Sequence, residues 1–69
     1  MKTFAERLKW SRADAEMTLQ QVADKSQHSV TMLHRMERGN IKGTTRIFIL
    51  ADALGVDARW LQTGEGEPK

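Results

Sequence analysis

Residues 17–38 contain the pattern that most restricts how this chain can fold: two short amphipathic segments separated by a brief polar stretch. The first segment starts at Thr18, and Gln21 follows with the spacing of a capping box at a helix start. The second starts after Ser29, a favoured N-cap residue, and ends before Gly39, which can adopt the left-handed conformation that terminates helices. The pattern predicts two consecutive helices joined by a tight turn.

The rest of the sequence predicts three further helices. One runs from Thr3 to about Ala13, a second ends at Gly55, and Asp57 caps a short third one. The apolar positions that define these helices are Phe4, Leu8, Ile47, Leu50, Ala51, Leu54, Trp60 and Leu61. We therefore expect an all-α, five-helix domain over residues 1–63, followed by a flexible tail or the start of a linker at residues 64–69.

The composition of the chain argues against several classes of function. A chain of 69 residues, 39% of them apolar, is close to the lower limit for one apolar core, and it contains no cysteine. His28 and His34 have no cysteine partners, so we expect no metal site. Neither a catalytic residue nor a cofactor is expected. No apolar run reaches the ~20 residues that cross a bilayer, and the N-terminus lacks the apolar h-region of a signal peptide, so we expect a soluble cytoplasmic protein without membrane contact.

Charge is unevenly distributed along the chain. The net charge is only +2, yet between residues 25 and 51 Glu37 is the single acid. The basic residues of that stretch are Lys25, Arg35, Arg38, Lys42 and Arg46. Such asymmetry is typical of a surface that faces nucleic-acid phosphates, and the alternative is a solvated helix face.

Two helices joined by a tight turn form the outline of a helix-turn-helix, whose second helix lies in the major groove of DNA. Arg35 can donate two hydrogen bonds to guanine O6 and N7, or can contact phosphate instead. Val30 and Thr31 offer methyl groups to thymine, although Val30 can equally belong to the core. His34 is expected at the rim of this surface. These four residues are the predicted base contacts.

A second set of residues is expected to contact the DNA backbone. The start of the first motif helix presents free amides and a positive dipole, so Thr18 and Gln20 are candidates, with simple solvent exposure as the alternative. Further donors follow the second helix, at Arg38, Asn40, Lys42, Thr44 and Arg46. Thr44 or Thr45 can alternatively cap the fourth helix.

Two more features concern structure and assembly. Arg12 and Glu37 interrupt apolar rows on the first and third helices, and an unpaired charge there is costly, which predicts an ion pair between them. An apolar patch near the end of the chain predicts a homodimer about a two-fold axis, with completion of the core as the alternative. The residues of that patch are Phe48, Ile49, Ala58 and Leu61.

The motif at residues 17–39, with residues 50–57 and Trp60-Leu61, resembles the Cro/CI-type helix-turn-helix domain of the XRE family, in particular the N-terminal domains of lambdoid phage repressors and Cro proteins. The resemblance implies five helices, an Arg12–Glu37 salt bridge, and a dimer that binds a palindromic operator and represses transcription. It also implies base contacts at three of the residues above and backbone contacts at five of them, namely Val30, Thr31 and Arg35, and Thr18, Gln20, Asn40, Lys42 and Arg46. In similar repressors a C-terminal domain follows the tail.

This chain differs from the family pattern in the turn and in two contact positions. Gln27 stands where the family usually has glycine, which predicts a strained or rebuilt turn. Leu19 replaces a glutamine that contacts DNA, and Val30 replaces a more frequent polar residue. The alternative function for the same fold is an antitoxin-type module that binds a protein partner and regulates its own operon.

Overall fold

Within residues 3–69, which a computed structural model describes, the chain forms five α-helices and no β-strand. The predicted all-α, five-helix fold is confirmed. None of these helices is long and apolar enough to cross a membrane. Their bounds are α1 Phe4–Asp14, α2 Leu19–Ser26, α3 Val30–Glu37, α4 Ile47–Leu54 and α5 Ala58–Thr63.

Short side chains at the predicted positions cap the starts of α2, α3 and α5. The hydroxyl of Thr18 accepts the N–H of Gln21 at 3.1 Å, and the Gln21 side chain accepts the Thr18 N–H at 2.8 Å, so the capping box is present. Ser29 and Asp57 each accept an N–H from the third residue of their helices. Thr3 begins α1 with a second capping box, which the sequence analysis did not predict. Capping at these four starts satisfies amides that the helices themselves leave unpaired, whereas α4 has no side-chain cap.

The core lies where α3, α4 and α5 meet α1 and α2. Leu8, Leu33, Met36, Leu50 and Leu61 are all fully buried there. Since Leu61 is 0% exposed, the prediction that it contributes to a dimer surface is wrong, and its alternative role in the core is correct. The patch expected at the end of the chain is therefore smaller than the sequence suggested.

Arg7 joins the first helix to the last. Its guanidinium is buried and donates to the carbonyl of Leu61 at 2.8 Å and to that of Gln62 at 3.1 Å. Burial lowers the pKa of Arg7, partly offset by the nearby charge of Glu6. The two carbonyls lie at the end of α5, where helices leave acceptors without intrahelical partners. Arg7 therefore joins α1 to α5 by donating hydrogen bonds to carbonyls at the end of α5.

Residues 64–69 lie against the body of the domain. The carbonyl of Pro68 accepts the N–H of Asp57 at 2.7 Å, and Lys69 Nζ is 2.7 Å from Asp14 Oδ2. Exposed ion pairs of this kind contribute at most about 1 kcal/mol. The flexibility expected for this tail therefore stays a prediction.

The turn between α2 and α3 is built on a left-handed residue that is not glycine. Gln27 has φ 59° and ψ 29°, a conformation that costs a residue with a Cβ roughly 1–2 kcal/mol. The turn is therefore strained at Gln27, which is one of the two outcomes predicted for it.

Replacing Gln27 with glycine should raise the free energy of unfolding by up to about 1 kcal/mol. Glycine removes the steric penalty, although its greater freedom in the unfolded chain offsets part of the gain. Urea titration followed by circular dichroism measures the change. Lys25→Gly, at an exposed position inside α2, is the matched control and should destabilise by about 1 kcal/mol. A loss of stability in both variants would contradict the strain at Gln27.

Candidate nucleic-acid interface

Helix α3 separates its side chains into an inward and an outward set. Its buried residues are Leu33, Met36 and Glu37, whereas Met32 is half-buried against the core. The four predicted base-contact residues are exposed: Val30, Thr31, His34 and Arg35. Val30 is 36% exposed and lies outside the core cluster, so its alternative as a core residue is not supported. The outward set is therefore free to contact a partner without any change in the core.

An ion pair holds α3 against α1. Arg12 Nε lies 2.6 Å from Glu37 Oε2, and Arg12 Nη2 donates to Glu37 Oε1 at 3.0 Å. A third N–H of Arg12 reaches the carbonyl of Met17. The hydrogen bonds that Arg12 donates to Glu37 raise the pKa of Arg12 despite the opposing effect of burial. The side chain of Glu37 is 8% exposed and that of Arg12 29%, so the predicted pair is present at the edge of the core.

Of the two DNA-backbone contacts predicted at the start of α2, Thr18 and Gln20, the structure favours Thr18. Thr18 is exposed at the N-cap. Gln20 is also exposed, but its amide donates to Asp24 Oδ1 at 2.8 Å, which places a carboxylate beside it. Leu19 is half-buried against the core, and this packing accounts for an apolar residue at that position. Thr18 is therefore the better candidate for a phosphate, through the hydrogen of its hydroxyl, because its oxygen and its N–H are already bonded to Gln21.

The segment after α3 exposes four of the five donors predicted there: Arg38, Asn40, Lys42 and Arg46. Thr44 differs because it is half-buried and its hydroxyl is bonded to His28 at 3.0 Å. The same hydroxyl accepts the N–H of Arg46 at 3.1 Å. Arg46 itself occupies the N-cap of α4, where no side chain forms a cap hydrogen bond. Thr44 therefore holds this segment against the rest of the domain and does not face solvent as the other four donors do.

An open groove of about 510 Å³ brings part of this segment next to α1. Arg38 and Lys42 line it together with Lys9, an exposed residue of α1 that the sequence analysis did not single out. No local pattern could have identified Lys9, because Arg38 and Lys42, with which it shares the groove, lie about thirty residues later in the sequence. Lys9 adds a cation to the predicted phosphate-contacting surface, in a groove that the carboxylates of Glu6 and Glu37 also line.

These elements define the class of protein: the chain belongs to the helix-turn-helix family, whose model matches residues 4–61. It is similar to the HTH-type transcriptional regulator PrtR of Pseudomonas aeruginosa, with 36% identity over 66 residues. The alignment covers 96% of this chain and 26% of PrtR, so the chain spans about a quarter of the length of that relative.

Proposed function

We propose that this chain is the sequence-specific DNA-binding domain of a transcriptional regulator, with α3 in the major groove. The observation that carries the proposal is the division of α3, whose exposed polar and methyl-bearing residues are separate from its buried ones. The ion pair at Glu37 keeps that face presented outward. Membership of the helix-turn-helix family and the similarity to a transcriptional regulator support the same function.

The finer proposal is a repressor of the phage or prophage type that works on bacterial DNA in the cytoplasm. Two copies bind a palindromic operator, and their α3 helices enter successive major grooves ~34 Å apart. Arg35 reads guanine, and the methyl groups of Val30 and Thr31 contact thymine. Bound at an operator, the dimer excludes polymerase.

Selection of bound duplexes from a random pool at physiological salt tests this function. We expect enrichment of one motif in two inverted copies, each containing a guanine that Arg35 can contact. A pool that stays random after repeated rounds, with the folded protein present, would contradict sequence-specific binding.

Lys42→Ala should weaken binding to every duplex by a similar factor. A phosphate contact carries no sequence information, and its loss reduces the slope of log K against log salt concentration by about 0.9. Fluorescence anisotropy on the selected duplex and on a random one, from low to high salt, measures both effects. Lys69→Ala removes an equal charge near Asp14 and should leave the slope unchanged. A loss confined to the selected duplex would show that Lys42 reads bases instead.

Dimerisation is proposed to use Phe48, the most exposed large apolar residue among residues 3–69, at 74% exposure. Ile49 and Ala58 are half-buried and complete the patch. Phe48→Ser should abolish cooperative occupancy of two half-sites and leave the affinity for one isolated half-site unchanged, as gel-shift titrations would show. Unchanged cooperativity in this variant would exclude Phe48 from the interface.

A further inference from the structure

Three separate parts of the chain meet at Thr44, in an arrangement that we call the Thr44 cluster (His28, Thr44 and Gln62). His28 lies in the turn before α3, Thr44 in the segment before α4, and Gln62 in α5. His28 is 4% exposed, yet it is a polar residue in a position that the DNA-contacting function above does not use. Its burial indicates a role inside the domain.

The hydrogen bonds of His28 have a defined direction. Nδ1 lies 2.7 Å from the carbonyl of Ser26, and since a carbonyl only accepts, Nδ1 carries the proton. In the neutral ring Nε2 then accepts, and it lies 3.0 Å from the Thr44 hydroxyl, which donates to it. The Thr44 oxygen accepts the N–H of Arg46. A continuous series of hydrogen bonds therefore links the end of α2 to the start of α4.

Gln62 holds the backbone of the same residue. Its Nε2 donates to the Thr44 carbonyl at 3.1 Å, and its Oε1 accepts the Thr44 N–H at 3.4 Å. The side-chain amide also packs across Gly43, where an added Cβ would lie 3.1–3.2 Å from it. Both the side chain and the backbone of Thr44 are thus fixed by other parts of the domain.

We propose that His28 and Gln62 are positioning residues, which act through Thr44 to hold Lys42 and Arg46 in place for DNA phosphates. This inference rests on the proposed function. Lys42 and Arg46 lie two positions before and after Thr44, and both are exposed. Loops are ordinarily mobile, and ordering one on binding reduces affinity. A segment already ordered in the free protein avoids that loss.

Thr44→Val tests the proposal because it removes the hydroxyl and keeps the shape. Its effect is measured by fluorescence anisotropy on the selected duplex, in the otherwise unchanged chain and in a Lys42→Ala/Arg46→Ala background. We expect a loss of about 3- to 10-fold in the first and less than about 2-fold in the second, since coupled sites are not additive. Thr44→Ser should restore the affinity.

Three further measurements separate positioning from folding. Thr63→Val, which deletes an exposed hydroxyl that donates to the Arg59 carbonyl and accepts the Glu65 N–H, is the matched control and should not change binding. At position 28, glutamine can place its amide near the position of Nε2 and asparagine near that of Nδ1. His28→Gln should therefore keep more affinity than His28→Asn. In Thr44→Val the Arg46 amide should exchange its hydrogen faster, even without DNA.

Three results would overturn the proposal that His28 and Gln62 act through Thr44. An equal loss from Thr44→Val in both backgrounds overturns the inference, because it shows a direct contact or a general loss of folding. Equal affinities of His28→Gln and His28→Asn overturn it as well, even if Thr44→Val is poorly folded. Absence of salt-dependent duplex binding by the unmodified chain instead overturns the proposed function, and this inference with it.

Discussion

Replacing Glu37 with alanine should lower the free energy of unfolding by about 2–4 kcal/mol. The change leaves the guanidinium of Arg12 at the edge of the core without its carboxylate, and removing one partner of a buried pair is strongly destabilising. Because Arg12 is partly exposed, the expected loss is smaller than the largest losses seen when a fully buried pair is broken. A domain of this size has a total stability of roughly 3–10 kcal/mol. Urea unfolding at neutral pH measures the loss.

Two further variants test whether the loss of stability in Glu37→Ala comes from the charge left unpaired on Arg12. Asp14→Ala also removes a carboxylate, at the last residue of α1, but its exposed pair with Lys69 is worth at most about 1 kcal/mol. Replacing Arg12 and Glu37 together with methionine should recover much of the stability, since no charge is left unpaired. If Glu37→Ala were no more harmful than Asp14→Ala, the pair would not be what holds α3 against α1.

Arg35→Ala should reduce binding to the selected duplex by about 1–3 kcal/mol, which is roughly 5- to 150-fold. The reason is the loss of a bidentate contact to guanine, so binding to a random duplex should change far less. Repeating the duplex selection with the variant should show relaxed preference at one position of each half-site. Anisotropy titrations on both duplexes give the ratio of affinities.

Arg59→Ala serves as the charge-matched control for Arg35. Arg59 is an exposed arginine of α5 that pairs with Glu65, so its removal should leave sequence preference intact. Equal losses for Arg35→Ala on selected and random duplexes would reassign Arg35 to a phosphate and leave base reading to Val30 and Thr31.

Local chemistry accounts for the parts of the fold that the sequence predicted well. The starts of α2, α3 and α5 depend on side chains a few positions away from the amides that they cap, namely Thr18, Ser29 and Asp57. The pairing of Arg12 with Glu37 followed from the cost of an isolated charge in an apolar row. The caps and the charges in apolar rows can both be recognised from the sequence of a single helix, because that sequence shows which positions start the helix and which are buried.

The features that the sequence did not predict depend on distant partners. Gln62 bonds a residue 18 positions earlier, and Arg7 bonds carbonyls 54 and 55 positions later. Leu61 was misassigned because α5 has only six residues, too few for their periodicity to separate an inner from an outer face. The DNA contacts themselves depend on a molecule outside the chain, so they stay predictions.

Contact between the first and last helices gives the domain an intrinsic optical signal. Trp10 of α1 and Trp60 of α5 are the two tryptophans of the chain, and their rings meet edge to face with centroids 5.6 Å apart. Indole emission moves to longer wavelength when the ring enters water, and Trp60 is buried in the folded state. Fluorescence recorded without any dye can therefore follow the meeting of the two ends during folding.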